Sequence, residues 1–178
     1  AFMEKLIANK LNIGDTIGVI APSGAIVGKN IDELKMAKEI VEKAGFKVKF
    51  STNIFSNTNG YSATAKEKAE DLNDMFRDKD VKMIWCAKGG ANSNSMFEYI
   101  DYELIKNNPK IICGYSDITS ITNIINAKTG LVTFSATNFK TIATDETNFS
   151  FKEALKRFVE ANRELGKASD YTVIKDGM

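Results

Sequence analysis

An α/β fold with a mostly parallel sheet and helices on both faces is predicted by three features of the sequence. Short apolar runs rich in strand formers alternate along the chain with stretches whose apolar residues recur at helical spacing. The runs TIGVIA, VKMIWCA and IICG are nearly continuous rather than alternating, as expected of strands covered on both faces. Glycine, proline and short polar residues separate the elements. One domain, residues 1–166, is expected, because 178 residues with 43% hydrophobic and 26% charged content suit a single core.

Thr16 to Ala21 is read as the first sheet strand, ended by Pro22-Ser23-Gly24. Asn30, with Glu33 completing the cap, opens a helix in which Ile31, Leu34, Ala37, Ile40, Val41 and Ala44 share a face, and Gly45 stops it. Phe46 to Ser51 alternates Phe46, Val48 and Phe50 with Lys47 and Lys49, the pattern of a half-exposed strand towards an edge. Ser51 to Ser62 is a polar loop with Asn59-Gly60 as its turn. Thr64 and Glu67 form a capping box before a helix striped by Ala65, Ala69, Leu72, Met75 and Phe76. Val81 to Ala87 is the central strand. Asp101 to Asn107 is a short helix or turn ending before Pro109. Ile111 to Gly114 is a buried strand, and Asp117 is a natural N-cap for ITSITNIINA. A fifth short strand is expected over Leu131 to Ala136. Phe151, Leu155, Phe158 and Val159 mark a last amphipathic helix. The polar tail 167–178 reads as the start of a linker to a carboxyl-terminal domain outside this chain.

The stretch VKMIWCAKGGANSNSM carries the candidate chemistry. Gly89 and Gly90 end the central strand, and Met96, Phe97 and Ile100 recur at helical spacing after Ser93, so Gly89 to Asn92 must turn sharply from strand to helix. A serine at that exit lies at the carboxyl edge of the sheet and the positive end of a helix, where backbone amides can hold an oxyanion. This is the logic of a nucleophile elbow, although the spacing is not G-x-S-x-G. Two simpler readings stay open: Ser93 or Asn92 as an ordinary N-cap, or Ser95 with Glu98 as a capping box, over a glycine turn that binds an anion without catalysis.

The net charge of +1, from 24 basic and 23 acidic residues, gives no footprint for nucleic acid or an anionic membrane, so small neutral or zwitterionic ligands fit better. Cys86 and Cys113 lie inside apolar runs and read as buried reduced thiols. No metal-ligand spacing occurs and no cofactor is expected. No apolar run is long enough to span a bilayer, and AFMEKLIANK lacks a signal-peptide core, which favours the cytoplasm. The chain has no histidine, the usual base for a serine nucleophile.

CAKGGANSNSMFEYIDY followed by KIICGYSDIT, together with GDTIGVIAPSGA and GYSATAKEKAEDLNDMFRDKDVKMIWCAKGG, resembles the LD-carboxypeptidase family of serine peptidases, which includes the microcin C self-immunity peptidases. The resemblance runs from Leu11 to about Phe139. It implies a flavodoxin-like or class I glutamine amidotransferase-like amino-terminal domain, with Ser93 as nucleophile and the amides of Gly90 and Asn94 as oxyanion hole. Gly89, Asn92, Ser116 and Asp117 would support the site, although an N-cap accounts equally for Asp117. The N-S-N-S version leans towards the microcin-immunity branch. The implied substrate is a small peptide-like molecule, a muropeptide or a peptidyl nucleotide. The resemblance further implies that the activating glutamate and histidine come from a carboxyl-terminal domain, and that the full-length protein is a homodimer. Gly60-Tyr61 resembles a family position near the cleft, or is a plain surface loop. Ser135-Ala136-Thr137-Asn138 stands where many members have a glycine-proline pair.

Overall fold

The computed structural model describes residues 4–56, 63–89, 93–114, 119–135, 137–144, 149–160 and 171–175. The alternation read from the sequence becomes β1 (Glu4–Ala8), β2 (Thr16–Ile20), α1 (Lys29–Lys43), β3 (Lys47–Phe50), α2 (Ala65–Arg77) and β4 (Val81–Cys86). There follow a 3₁₀ helix (Ser93–Tyr99), α3 (Tyr102–Asn107), β5 (Ile111–Gly114), α4 (Thr119–Thr129) and β6 (Phe134–Ser135). A second 3₁₀ helix (Phe139–Thr144), α5 (Phe149–Glu160) and β7 (Tyr171–Lys175) complete the described elements.

Five strands form a parallel sheet in the order β3-β2-β4-β5-β6. Counted from β2, this is the flavodoxin-like order 2-1-3-4-5, whose direction of winding reverses between β2 and β4. Reversal sends successive crossovers to opposite faces. Side chains confirm it: Gly18 of β2 faces Met75 of α2, while Trp85, pointing the other way from β4, meets Phe139 and Phe158. So α1, the second 3₁₀ helix and α5 cover one face, and α2, α3 and α4 the other. Gly18 is required by this packing, since a Cβ there would lie 2.5 Å from Met75 Sδ. The core is continuous through the sheet, from Leu34, Val41 and Phe139 to Ile84, Leu72, Phe76 and Ile121.

Several local readings hold. β3 is an edge strand, and Thr64 and Glu67 close a reciprocal capping box, with Glu67 N donating to Thr64 Oγ1 at 3.2 Å and Thr64 N to Glu67 Oε1 at 3.0 Å. Asp101 caps α3 by accepting from Leu104 N at 3.0 Å. The cap of α1 differs from expectation. Gly28, at φ +56°, is the N-cap and makes no side-chain capping bond, because the turns Asn30 N to Val27 O and Ile31 N to Gly28 O draw Asn30 into the helix. Glu33 is then free to pair with Lys140 at 3.3 Å, tying α1 to the second 3₁₀ helix.

The expected strand over Leu131 to Ala136 is shorter, Phe134–Ser135. Ahead of it the backbone turns to another partner: Leu6 N donates to Gly130 O at 2.8 Å and Val132 N to Leu6 O at 2.7 Å. β1 and β7 pair antiparallel, Glu4 opposite Lys175 and Ala8 opposite Tyr171. Neither strand was expected. Tyr171–Lys175 falls within the tail read as the start of a linker, and its partner is far away in sequence. The Asn59-Gly60 turn, Gly60-Tyr61 and Asp117 lie outside the described residues.

Candidate active site

The winding of the sheet reverses between β2 and β4, and at the carboxyl ends of strands beside such a reversal open parallel sheets bind ligands. Beyond β4 the ladder continues for one residue, with Ala87 N donating to Ile20 O at 2.8 Å. The chain then runs through Lys88 to Gly89. Lys88 and Gly89 are half-buried and lie against the Pro22-Ser23-Gly24 loop that follows β2. The two loops touch closely: a Cβ on Gly24 would be 3.2 Å from Lys88 Cε, 3.3 Å from its Nζ and 3.7 Å from Gly89 O. A side chain at position 24 would press only on the flexible end of Lys88, since its distance from Gly89 O is an ordinary contact. The Lys88 ammonium donates to Ala25 O over a long 3.4 Å.

The described residues on both sides of positions 90–92 are held in place. On one side, Trp85 Nε1 donates to Thr137 O at 2.7 Å and Lys140 N to Ala87 O at 3.0 Å, fastening residues 137–140 to the end of β4. On the other side, the 3₁₀ helix buries Met96 fully and is clamped at its end by Asn73 of α2. Asn73 Nδ2 donates to Tyr99 O at 3.1 Å, while its Oδ1 accepts from Asp101 N at 3.0 Å. Tyr102 adds a bond from its hydroxyl to Phe97 O at 2.9 Å. The segment after the turn is therefore a 3₁₀ helix rather than the α-helix its spacing suggested. Ser93 and Asn94 are its first two residues, and Ser95 lies inside it rather than at the cap position of a capping box.

Gly90, Asn92, Ser116 and Asp117 lie outside the described residues. Their neighbours are described: Gly89 lies just beyond the end of β4 and against Gly24, and Gly114, which leads to Ser116 and Asp117, ends β5 beside β4. Further along the sheet edge, buried Asp71 of α2 accepts from Asn53 N at 3.1 Å and Asn53 Nδ2 at 2.9 Å, which fixes the loop after β3. Burial pushes the Asp71 carboxyl up from its ordinary pKa, against the bonds from Asn53. Cys86 and Cys113 are fully buried free thiols; burial pushes Cys86 up to about 12 and Cys113 well above its ordinary value. Burial thus keeps both as neutral thiols at neutral pH. Among the described residues no group of acidic, cysteine or histidine side chains could hold a metal ion, and no helix is long and apolar enough to cross a membrane.

Sequence reasoning passed over Lys88 and Asn73. Lys88 carried a signal, being the first charge after the buried run of β4. Asn73 carried none, since it sits in the apolar stripe of α2 as an isolated polar residue.

Residues 17–136 match the profile described as the LD-carboxypeptidase N-terminal domain. A Bacillus subtilis protein named "Probable murein peptide carboxypeptidase" is 42% identical over 125 residues, covering 70% of this chain and 38% of its own. The microcin C7 self-immunity protein MccF of Escherichia coli is 39% identical over 130 residues, 72% of this chain and 38% of its own. The chain thus spans about two fifths of the length of these curated relatives. Among solved structures, MccF in its wild-type apo state superposes with a TM-score of 0.81 at 31% identity, over 85% of this chain and 46% of that one. A MccF-like protein from Bacillus anthracis gives the same TM-score over 96% of this chain and 56% of that one. With most of its length inside the profile, and its fold superposing on these structures, the chain belongs to the LD-carboxypeptidase family and carries its N-terminal domain.

Proposed function

We propose that this domain supplies the nucleophile of a serine peptidase that hydrolyses an amide bond of a small peptide-like substrate. The observation that carries this reading is the place of the Gly89 turn. It leaves β4 at the reversal point of the sheet, and the helix that Ser93 opens begins a few residues later, within the span that matches the family. In the proposed reaction Ser93 Oγ attacks the carbonyl carbon, and the amides of Gly90 and Asn94 receive the negative charge that develops on the carbonyl oxygen. Collapse of the tetrahedral intermediate expels the amine, and water then releases the acyl group from the serine.

Deprotonating Ser93 requires a base, and this chain contains no histidine. The glutamate and histidine are assigned to a carboxyl-terminal domain reached through the 167–178 segment, and Asn92, Ser116 and Asp117 to support of the turn. The substrate class follows the relatives. MccF has been solved with aspartyl sulfamoyl adenosine and with glutamyl sulfamoyl guanosine, and a Pseudomonas aeruginosa relative is named murein tetrapeptide carboxypeptidase. A cytoplasmic homodimer is the proposed form of the full-length protein.

The test joins residues 1–166 of this chain to the remainder of MccF and follows hydrolysis of aspartyl sulfamoyl adenosine by chromatography. The chimera should turn over, and Ser93→Ala should lower kcat on the order of 10⁴-fold or more. The 178-residue chain alone should be inactive. Turnover that survives Ser93→Ala would overturn the nucleophile assignment, whereas a folded chimera that binds the compound without hydrolysing it would favour a glycine turn that only binds anions.

A further inference from the structure

The opposite, amino edge of the sheet holds a second cleft. It forms where the chain enters β2, β4 and β5, so its lining comes from residues just ahead of or at the start of each strand: Asp15, Lys79, Lys82 and Lys110 among them, with Lys10 from the segment after β1. Its volume, about 480 Å³, is that of a small-molecule site. The six residues of β4 separate it from the glycine turn by roughly 17 Å at the ordinary rise of a strand, so it is not part of the candidate active site.

Its charge is one-sided. Four lysines line it against one carboxylate, and Asp15 already accepts from Asn12 N at 2.8 Å. Lys110 is the unusual member, only 8% exposed although it lines the cleft. Its ammonium donates to Met75 O at 2.7 Å and to Asp78 O, closing the end of α2. An ammonium has three N–H donors, so one remains for the cleft. Burial first, opposed by Asp78, and then repulsion from Lys82 and Lys79 bring Lys110 down to about 8. Lys79 donates to the neutral Asn108 Oδ1 at 2.7 Å rather than to a carboxylate.

We propose that this cleft binds a small multivalent oxyanion, a phosphate group, held by Lys110, Lys82 and Lys79. Several point-charge ammonium groups around one volume suit a compact dianion better than a single carboxylate, which one of them would satisfy. The bound group accepts the third N–H of Lys110 and removes the repulsion among the lysines.

The test uses the 178-residue protein in low-salt buffer at pH 7, titrated calorimetrically with inorganic phosphate and, separately, with ribose 5-phosphate. Saturable one-to-one binding is expected. The exposed pair Lys79→Gln/Lys82→Gln, which leaves the bonds of Lys110 to α2 in place, should weaken it by about tenfold or more, and added salt should weaken it further. In parallel, NMR titration of the Lys110 side chain should show its pKa rise from about 8 when phosphate is present, a shift that a purely structural role would not produce. Tighter binding of ribose 5-phosphate marks a phosphorylated metabolite as ligand, and equal binding marks the free anion; both support the site. No saturable binding up to about 10 mM overturns the proposal. Binding that the double variant leaves unchanged means an adventitious ion only, and overturns it as well.

Discussion

Replacing Trp85 with phenylalanine probes the joint that fastens the candidate active site to the core. Trp85 is fully buried, edge-on to Phe139 at 5.7 Å and to Phe158 at 6.1 Å between ring centres, and its Nε1 holds Thr137 O at 2.7 Å. Trp85→Phe removes about three ring atoms, worth ~2 kcal/mol of lost burial at ~0.8 kcal/mol per methylene-sized group. Loss of the indole donor from Thr137 O adds up to ~1 kcal/mol. The expected destabilisation is therefore about 3 kcal/mol, near the low end for truncating a large aromatic core residue. Urea denaturation followed by far-ultraviolet circular dichroism measures it; intrinsic indole fluorescence is lost because Trp85 is the only tryptophan. Hydrogen exchange at the Lys140 amide, which bonds Ala87 O, should accelerate more than exchange in α2. A loss below about 1 kcal/mol with unchanged exchange at Lys140 would refute the view that this joint holds residues 137–140 to the end of β4.

Three further outcomes are expected. Gly18→Ala puts a methyl 2.5 Å from Met75 Sδ and 3.0 Å from Val81 Cγ1, so it should destabilise by ~1–3 kcal/mol in urea melts, and adding Met75→Ala should cost less than the two changes summed. Because Lys110 titrates near 8 when folded but at its ordinary 10.5 when unfolded, the unfolded chain holds the extra proton in between; stability contributed by this group should rise with pH across that window, and Lys110→Met should flatten the rise in urea midpoints measured at its two ends. Cys86 and Cys113 should react with a thiol reagent only as the protein unfolds, and rapid modification of either in the native protein would contradict their burial.

Elements built from contiguous residues were legible in the sequence. Val81 to Cys86, the capping box of Thr64 and Glu67, and the short helix after Asp101 each carry their cause within a few positions, and the structure repeats them. The α/β class followed from the same local patterns. What failed was governed by distant partners. Leu6, Ile7 and Ala8 make too short an apolar run to announce a strand, and β1 exists because β7 and the backbone at Gly130 to Val132 take up its hydrogen bonds. Asn30 is a good capping residue by type, yet the positive φ of Gly28 starts the helix earlier.

The two edges of the sheet divide in the same way. At the carboxyl edge, the buried run, the doubled glycine and the serine that follows are consecutive, so the candidate turn could be read before any fold was known. Its partner loop could be placed there only in outline, since the approach of Gly24 to Lys88 depends on β2 and β4 lying side by side. At the amino edge nothing is consecutive. Lys10, Lys79, Lys82 and Lys110 belong to three separate entries into the sheet, and in the sequence each alone reads as an ordinary lysine in a chain of net charge +1. Parallel strands must begin at one edge if they end at the other, and the connections that return to that edge bring these ammonium groups around one cavity. The same winding that sets the reversal point for the proposed chemistry therefore creates, at the far end of β4, a concentration of positive charge that no local pattern foretells.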